Sequence, residues 1–347
     1  MSGMAKASGP RIHVLSIDGG GVRGIIPAEI LAYITLKTKL LVHQMFDLIA
    51  GTSAGGIMAL GLGTRCKNGA EPYSPSELAD LFMSHAAEIF PAPTFPALKQ
   101  LFGPKYPAGP IESILAQYFG DTMLGSALTP LLISSYDLAS QKPFFFKSHK
   151  IAQDASYDVP VRRAARATSA APTYFPPLLV PATISGWNRE LCLVDGGVIV
   201  NNPAMAAYAE ARMLYGTLPQ VEFMVLSIGT GDRKDRLGYR SAGHWGLFKW
   251  GRLVQPILMD SVSEAVDYEM HWIDPTAFHR FQYEHLSTSS NEIDNASSTN
   301  LRSLKRQAAE YIESHQAALD AVCEQLKQGR GARCEGTGLP ADLKATA

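Results

Sequence analysis

Residues 17–25 read Ile-Asp-Gly-Gly-Gly-Val-Arg-Gly-Ile, IDGGGVRGI, between the apolar run RIHVLSI (11–17) and the helix-like IPAEILAYITLK (26–37). Gly19, Gly21 and Gly24 fit the G-x-G-x-x-G turn that binds a dinucleotide pyrophosphate. The downstream sequence does not fit. A dinucleotide site needs an acidic residue at the end of the second strand, about twenty positions on, to hold the ribose. Here the second strand, MFDLIAG (45–51), places Asp47 inside itself and ends in GTSAGG (51–56). No Gly-Lys-Ser/Thr follows the glycines, which also excludes a P-loop. The continuous apolar strands and the alternation strand, turn, helix, strand, turn, helix predict an α/β protein with a mostly parallel sheet and helices on its faces.

GTSAGG contains Gly51-Thr52-Ser53-Ala54-Gly55, the G-x-S-x-G pattern, at a strand-to-helix junction. A serine on so sharp a turn projects its hydroxyl clear of the backbone, and the flanking positions must be small because the turn crowds them. The following helix points its N–H groups and positive dipole end at any developing anion. Acyl transfer also needs donors for the oxyanion of the tetrahedral intermediate. The N–H groups of Gly19, Gly20 and Gly21 can converge because no Cβ blocks them, and Ala54 N–H is a further donor. Ser53 needs a base. Asp195, in Leu193-Val194-Asp195-Gly196-Gly197, ends another strand and can approach without obstruction. Its ordinary pKa of about 3.9 makes it a weak base unless burial raises it. Asp-Gly is equally a turn dipeptide, so local sequence leaves a capping role for Asp195 open.

The bulk numbers narrow the classes of function. A net charge of −1 offers no electrostatic case for nucleic acid. The longest charge-free stretch, 167–188, is interrupted by Pro172, Pro176, Pro177 and Pro181, so it cannot be a transmembrane helix. Cys66, Cys192, Cys323 and Cys334 are scattered without metal-type spacing, as expected of unbridged thiols in a reducing compartment. No ligand cluster suggests a metal or other cofactor. The expected location is cytoplasmic, with contact at membrane surfaces.

Further strands are expected at PLLISSYDL (130–138), PFFFKS (143–148), RELCLVDGG (189–197) and VEFMVLSIGTG (221–231). Residues 90–110 hold six prolines and read as irregular surface chain carrying Phe95, Phe102 and Tyr106. Leu301–Leu326 reads as one long amphipathic helix. One domain is expected over 11–326, with flexible termini at 1–10 and 327–347.

The blocks SIDGGGVRGIIPAEIL, FDLIAGTSAGGIMAL, ARATSAAPTYFPP, LVDGGVIVNNPAMAAYAEA and VLSIGTG together resemble the patatin-like phospholipases, in family order from Arg11 to about Gly231. The resemblance implies a three-layer α/β/α fold and a Ser-Asp dyad, with Ser53 as nucleophile and Asp195 as base. It implies an oxyanion hole from Gly19, Gly20 and Gly21. It places Arg23 near the oxyanion or a lipid headgroup, where local sequence reads only an arginine near a helix start. It also implies a lipid or membrane-surface substrate, needs no cofactor, and leaves room for a homo-oligomer. Some bacterial members are held inactive until a nucleotide second messenger binds, so a small-molecule activator stays open. The rival is a Ser-Asp-His α/β-hydrolase using His271, His279 or His285, which chain order permits. Such a fold, however, runs several strands before its elbow, and here one precedes it. Trp245, Phe248 and Trp250 either face lipid or pack a cap over the core. Asn201-Asn202-Pro203 is expected to brace the Asp195 turn.

Overall fold

The computed structural model describes residues 9–91, 103–181, 189–232, 238, 242–284, 286 and 292–328. Its sheet has eight strands: β1 (Arg11–Ile17), β2 (Leu48–Gly51), β3 (Leu131–Asp137), β4 (Lys142–Lys147), β5 (Leu178–Val180), β6 (Leu191–Asp195), β7 (Glu222–Ile228) and β8 (Phe278–Phe281). The order is β5-β6-β3-β2-β1-β7-β8, with β4 also paired to β3. The central run β3-β2-β1-β7-β8 is parallel, whereas β4, β5 and β6 pair antiparallel.

Helices cover both faces. On one lie α1 (Ile25–Thr38), α2 (Val42–Met45), α3 (Ala54–Gly63), α4 (Pro75–Ile89), α5 (Ala108–Phe119) and α6 (Val161–Thr168). On the other lie α7 (Ala204–Tyr215) and the long α8 (Leu247–Ile273). The helices α9 (Ser298–Ser314) and α10 (Gln316–Gln328) rejoin the first face against α1. The pleat of β1 explains the three layers. Leu15 and Ile17 enter the core shared with α1 and α3, while Ile12 and Val14 enter the one shared with α7 and α8. A strand apolar on both sides belongs between two helical layers.

Three expectations need correction. The Leu301–Leu326 segment is two helices, not one. His315 breaks it: Ser314 Oγ donates to the Tyr311 carbonyl at 3.0 Å, and the His315 ring stacks on Tyr311 at 4.0 Å. Side-chain bonds of this kind compete with the helical ladder. The irregular stretch ends at Pro107, since Ala108, Gly109 and Pro110 form the first turn of α5, where a proline lacks no needed donor. Tyr106 is buried rather than on the surface. At the termini, Pro10 already accepts the Glu222 N–H, and α10 runs to Gln328. Phe95 and Phe102, residues 1–8 and residues 329–347 lie outside the described residues. Cys66, Cys192 and Cys323 are free thiols, and Cys334 lies outside the described residues. No helix among the described residues is long and apolar enough to cross a membrane.

The pairing around β3 sets up the site. β4 occupies one edge of β3 over Leu132–Asp137, so β2 and β6 share the other. β2 runs parallel and ends with Gly51 opposite Ile133. β6 runs antiparallel and ends with Asp195 opposite Ser135, two residues along. The two strands therefore end pointing at each other. Ser134 sits between them: its hydroxyl shares a 2.6 Å hydrogen bond with Thr52, and a Cβ on Gly196 would come within 2.1 Å of it.

Candidate active site

Ser53 follows the end of β2 at φ 54°, ψ −122°, a strained conformation for a residue with a Cβ. Its surroundings enforce that turn. A Cβ on Gly51 would stand 2.2 Å from the Gly55 carbonyl, and one on Gly55 would stand 2.3 Å from the Ile17 carbonyl. The Ser53 N–H donates to Thr168 Oγ1 at 2.9 Å, which holds the elbow onto the end of α6. Nothing local to Thr168 announced this role, because the contact is made across the fold.

Asp195 is buried, and burial pushes its carboxyl up to about 7, against the opposing pull of the Ser53 hydroxyl and the Gly197 N–H. Oδ1 accepts the Gly197 N–H at 2.7 Å. Oδ2 lacks a partner of full hydrogen-bond geometry. The Ser53 hydroxyl is thus a close but loosely aligned neighbour, as nucleophile–base pairs often are before substrate binds. Asp195 is a carboxyl poised near neutrality beside a hydroxyl on a strained turn.

The glycine turn divides. Gly19 donates its N–H to the Asn201 carbonyl at 3.1 Å and has none to offer an oxyanion. Gly20 and Gly21 line the same cleft as Ser53, Ala54 and Asp195. Gly21 sits at φ 57°, where a Cβ would also strike the Ile293 carbonyl at 2.1 Å. The Arg23 side chain is buried, donates to the carbonyls of Gly20 (3.4 Å) and Gly231 (3.0 Å), and is not among the residues that line the cleft. It ties the glycine turn to the end of β7.

The cleft encloses about 630 Å3 of empty volume, part of it open to solvent. Phe82, Ala86 and Ile89 contribute one apolar face of α4, Phe90 follows at its end, and Ile57, Ile111, Phe175 and Met259 add to the lining. Such a lining suits an apolar chain, with Ser53, Ser169, Tyr174 and Asp195 its only polar side chains among the described residues.

Behind Ser53 and Asp195 lies a bracing network that sequence reasoning caught only at Asn201 and Asn202. Asn201 Nδ2 donates to Ser263 on α8 at 3.1 Å, and Asn202 Nδ2 donates to Asp267 at 2.7 Å. Arg280 on β8 donates to Asp267 (3.0 Å), Ser227 (2.9 Å) and Asp18 (2.7 Å), the residue just before the glycine turn. Burial pushes Asp18 up and Asp267 up to about 6, with Arg280 pulling against both. Burial opposes the Arg280 charge, but the surrounding carboxylates hold its proton more tightly than usual. A lone arginine in the sequence FHRF carries no signal of this.

Of the three candidate histidines, the two among the described residues lie away from the cleft lining. His271 is exposed on α8, His279 lies on β8, and neither lines the cleft. His285 lies outside the described residues. Trp245 is half-buried with its ring edge-on to Trp250 at 5.2 Å, and Trp250 is 44% exposed. The Phe248 side chain lies outside the described residues. Among the described residues no group of three His, Cys, Asp or Glu could hold a metal ion.

The profile of the patatin-like phospholipase family matches residues 15–208, which contain the elbow, the glycine turn and Asp195. The chain belongs to that family. Its similarity to the plant patatins runs nearly end to end: it is 30% identical to patatin-like protein 2 of Oryza sativa subsp. indica, over 98% of this chain and 93% of that one. It is 33% identical to patatin-like protein 1 of Arabidopsis thaliana over 75% and 70% of the two chains. With patatin-08 of Solanum tuberosum it shares 30% over 84% and 81%. Among solved structures, VipD from Legionella pneumophila aligns over 89% of this chain and 68% of that one, at 12% identity and a TM-score of 0.36, too loose a likeness to argue from. As a patatin-like phospholipase the chain is a lipid acyl hydrolase, built on a three-layer α/β/α fold around a mostly parallel sheet.

Proposed function

We propose that this protein is a serine acyl hydrolase of the phospholipase A type, cleaving fatty-acyl esters of phospholipids or related glycerolipids through a Ser53-Asp195 dyad. The observation that carries the reading is the buried Asp195 carboxyl, poised at about 7 beside the hydroxyl of Ser53 at the polar end of an apolar cleft. Asp195 takes the Ser53 proton as the hydroxyl attacks the ester carbonyl carbon. The N–H groups of Gly20, Gly21 and Ala54 receive the oxyanion, and Gly19 and Arg23 keep the turn in place from behind. Collapse of the tetrahedral intermediate expels the alcohol, which takes the proton from Asp195 and leaves an acyl-Ser53 ester. Water, deprotonated by Asp195, then attacks that ester. The fatty acid leaves and the proton returns to Ser53. Neither His271 nor His279 borders the cleft, so neither serves as the base in this scheme.

The test is fatty-acid release from mixed phospholipid and galactolipid vesicles without added calcium, with fluorophosphonate labelling beside it. Wild type releases fatty acid and is labelled, whereas Ser53→Ala does neither. Turnover surviving in Ser53→Ala would sink the dyad.

The exposed Trp250 and its neighbour Trp245 suit shallow contact with a lipid surface. Replacing both by alanine is expected to weaken vesicle binding and vesicle hydrolysis several-fold while leaving turnover of a soluble ester intact. Equal loss of both activities would assign the pair to packing.

A further inference from the structure

Residues 292–295, Glu-Ile-Asp-Asn, lie as a strap against the glycine turn. The Ile293 carbonyl accepts the Val22 N–H at 2.9 Å and is the atom that a Cβ on Gly21 would strike. One residue on, Asp294 is 8% exposed, and its Oδ2 accepts from both Lys105 Nζ and Tyr106 Oη, the latter at 2.7 Å. The Asn295 carbonyl accepts from Asn300 Nδ2 at 2.7 Å, which pins the strap to α9.

Asp294 thereby joins two parts of the site, the glycine turn and the aromatic wall, which α4 also borders. Lys105 and Tyr106 donate their N–H groups to the carbonyls of Thr173 and Tyr174, both at 2.8 Å. The Tyr106 ring packs against Phe90 at 5.3 Å and Phe175 at 5.8 Å. Phe90, Tyr174 and Phe175 form the aromatic wall of the cleft. One carboxylate oxygen therefore anchors that wall, and the adjacent peptide carbonyl holds the turn that faces Ser53. Only the Asp294 end of this ion pair is buried, the Lys105 side chain being 31% exposed, and a pair so placed adds little stability. It does fix a unique geometry.

We propose that Asp294 is a positioning residue for the hydrolysis. By gripping Lys105 and Tyr106 it sets the Ile293 carbonyl. Through that carbonyl it sets the spacing between the Gly20-Gly21-Val22 turn and Ser53. The proposal rests on the dyad and oxyanion reading above. It adds that the turn is held from outside, by a residue that touches neither substrate nor nucleophile.

Asp294→Ala, Asp294→Asn, Tyr106→Phe and Ser53→Ala test it on a soluble short-chain ester, with kcat expressed per fluorophosphonate-titrated site. Displacing oxyanion donors costs about 10- to 100-fold in kcat. Asp294→Ala is expected to show that loss with KM within about twofold, because the donors act on the transition state and not on the bound ester. Its rate of fluorophosphonate labelling falls by the same factor. Asp294→Asn, whose amide oxygen can accept both bonds, restores most of the kcat. Tyr106→Phe removes a single hydroxyl, is expected to lose several-fold in kcat, and carries the test alone should Asp294→Ala not fold. Full kcat per titrated site in Asp294→Ala or Tyr106→Phe overturns the proposal, as does a rise in KM at constant kcat. If Ser53→Ala is inactive while the Asp294 and Tyr106 variants match wild type, only the proposal fails. If Ser53→Ala keeps its turnover, the dyad reading fails and the proposal falls with it.

Discussion

Ser53→Gly is expected to lose essentially all ester turnover, by a factor of about 10⁴ or more, and yet to unfold at a higher temperature than Ser53→Ala. The first half follows from deleting the nucleophile. The second follows from the backbone. At φ 54°, ψ −122° a residue with a Cβ carries roughly 1–3 kcal/mol of local strain, and Ser53→Ala keeps that strain in full. Glycine relieves it, at the expense of about 1 kcal/mol of extra chain entropy in the unfolded state. The net difference is of order 1 kcal/mol in favour of Gly, or a few degrees in a chain of this size. Paired thermal melts of the two variants check this. An equal or lower melting temperature for Ser53→Gly would mean that the elbow is not strained. The strain would then have to be dropped from any account of how the hydroxyl is exposed.

The crowded turn at Ser53 is legible in the sequence, because glycines two positions either side of a serine at a strand end mean that the chain folds back on itself there. Asp195 could be singled out for the same reason, a carboxylate closing a strand and followed by two glycines. Their meeting is implied by the family resemblance and is not legible from the local pattern. It depends on β3 accepting β2 and an oppositely directed β6 along one edge, and no local pattern announces shared edges. The glycine turn shows the same limit. Gly19, Gly20 and Gly21 look equivalent in sequence, but Asn201 claims the Gly19 N–H from more than 180 positions away. Arg23 looks like a basic group beside an anion site until the carbonyls of Gly20 and Gly231 take up its guanidinium. The break at His315 was missed for a different reason. The apolar stripe of Leu304, Ala308 and Tyr311 continues in phase through Leu319 and Val322, so periodicity alone cannot see an interruption made by Ser314 and His315 side chains.

Asp195 makes the second large prediction, because one displaced pKa governs both rate and stability. With its carboxyl pushed up to about 7 by burial, the base is mostly protonated below neutrality. The value of kcat/KM is therefore expected to fall about tenfold per pH unit below 7 and to level off above it. Asp195→Asn removes the base and is expected to lose about 10³-fold or more at every pH. Stability runs the opposite way. The folded state holds the proton more tightly than the unfolded chain, whose carboxyl titrates near 3.8. The group's contribution is complete below 3.8, is lost progressively as pH rises to about 7, and above that leaves a standing cost. The displacement from 3.8 to about 7 sets that cost on the order of 4 kcal/mol. Asparagine is uncharged and can still accept the Gly197 N–H. Asp195→Asn should therefore melt well above wild type at pH 8 and close to it at pH 4, which calorimetry at the two pH values would read directly. A variant that is inactive but no more stable at pH 8 would mean that Asp195 is ionised at little cost in the folded protein. The base would then act at its ordinary acidity, and the pH–rate profile would have to break near 4 instead of near 7.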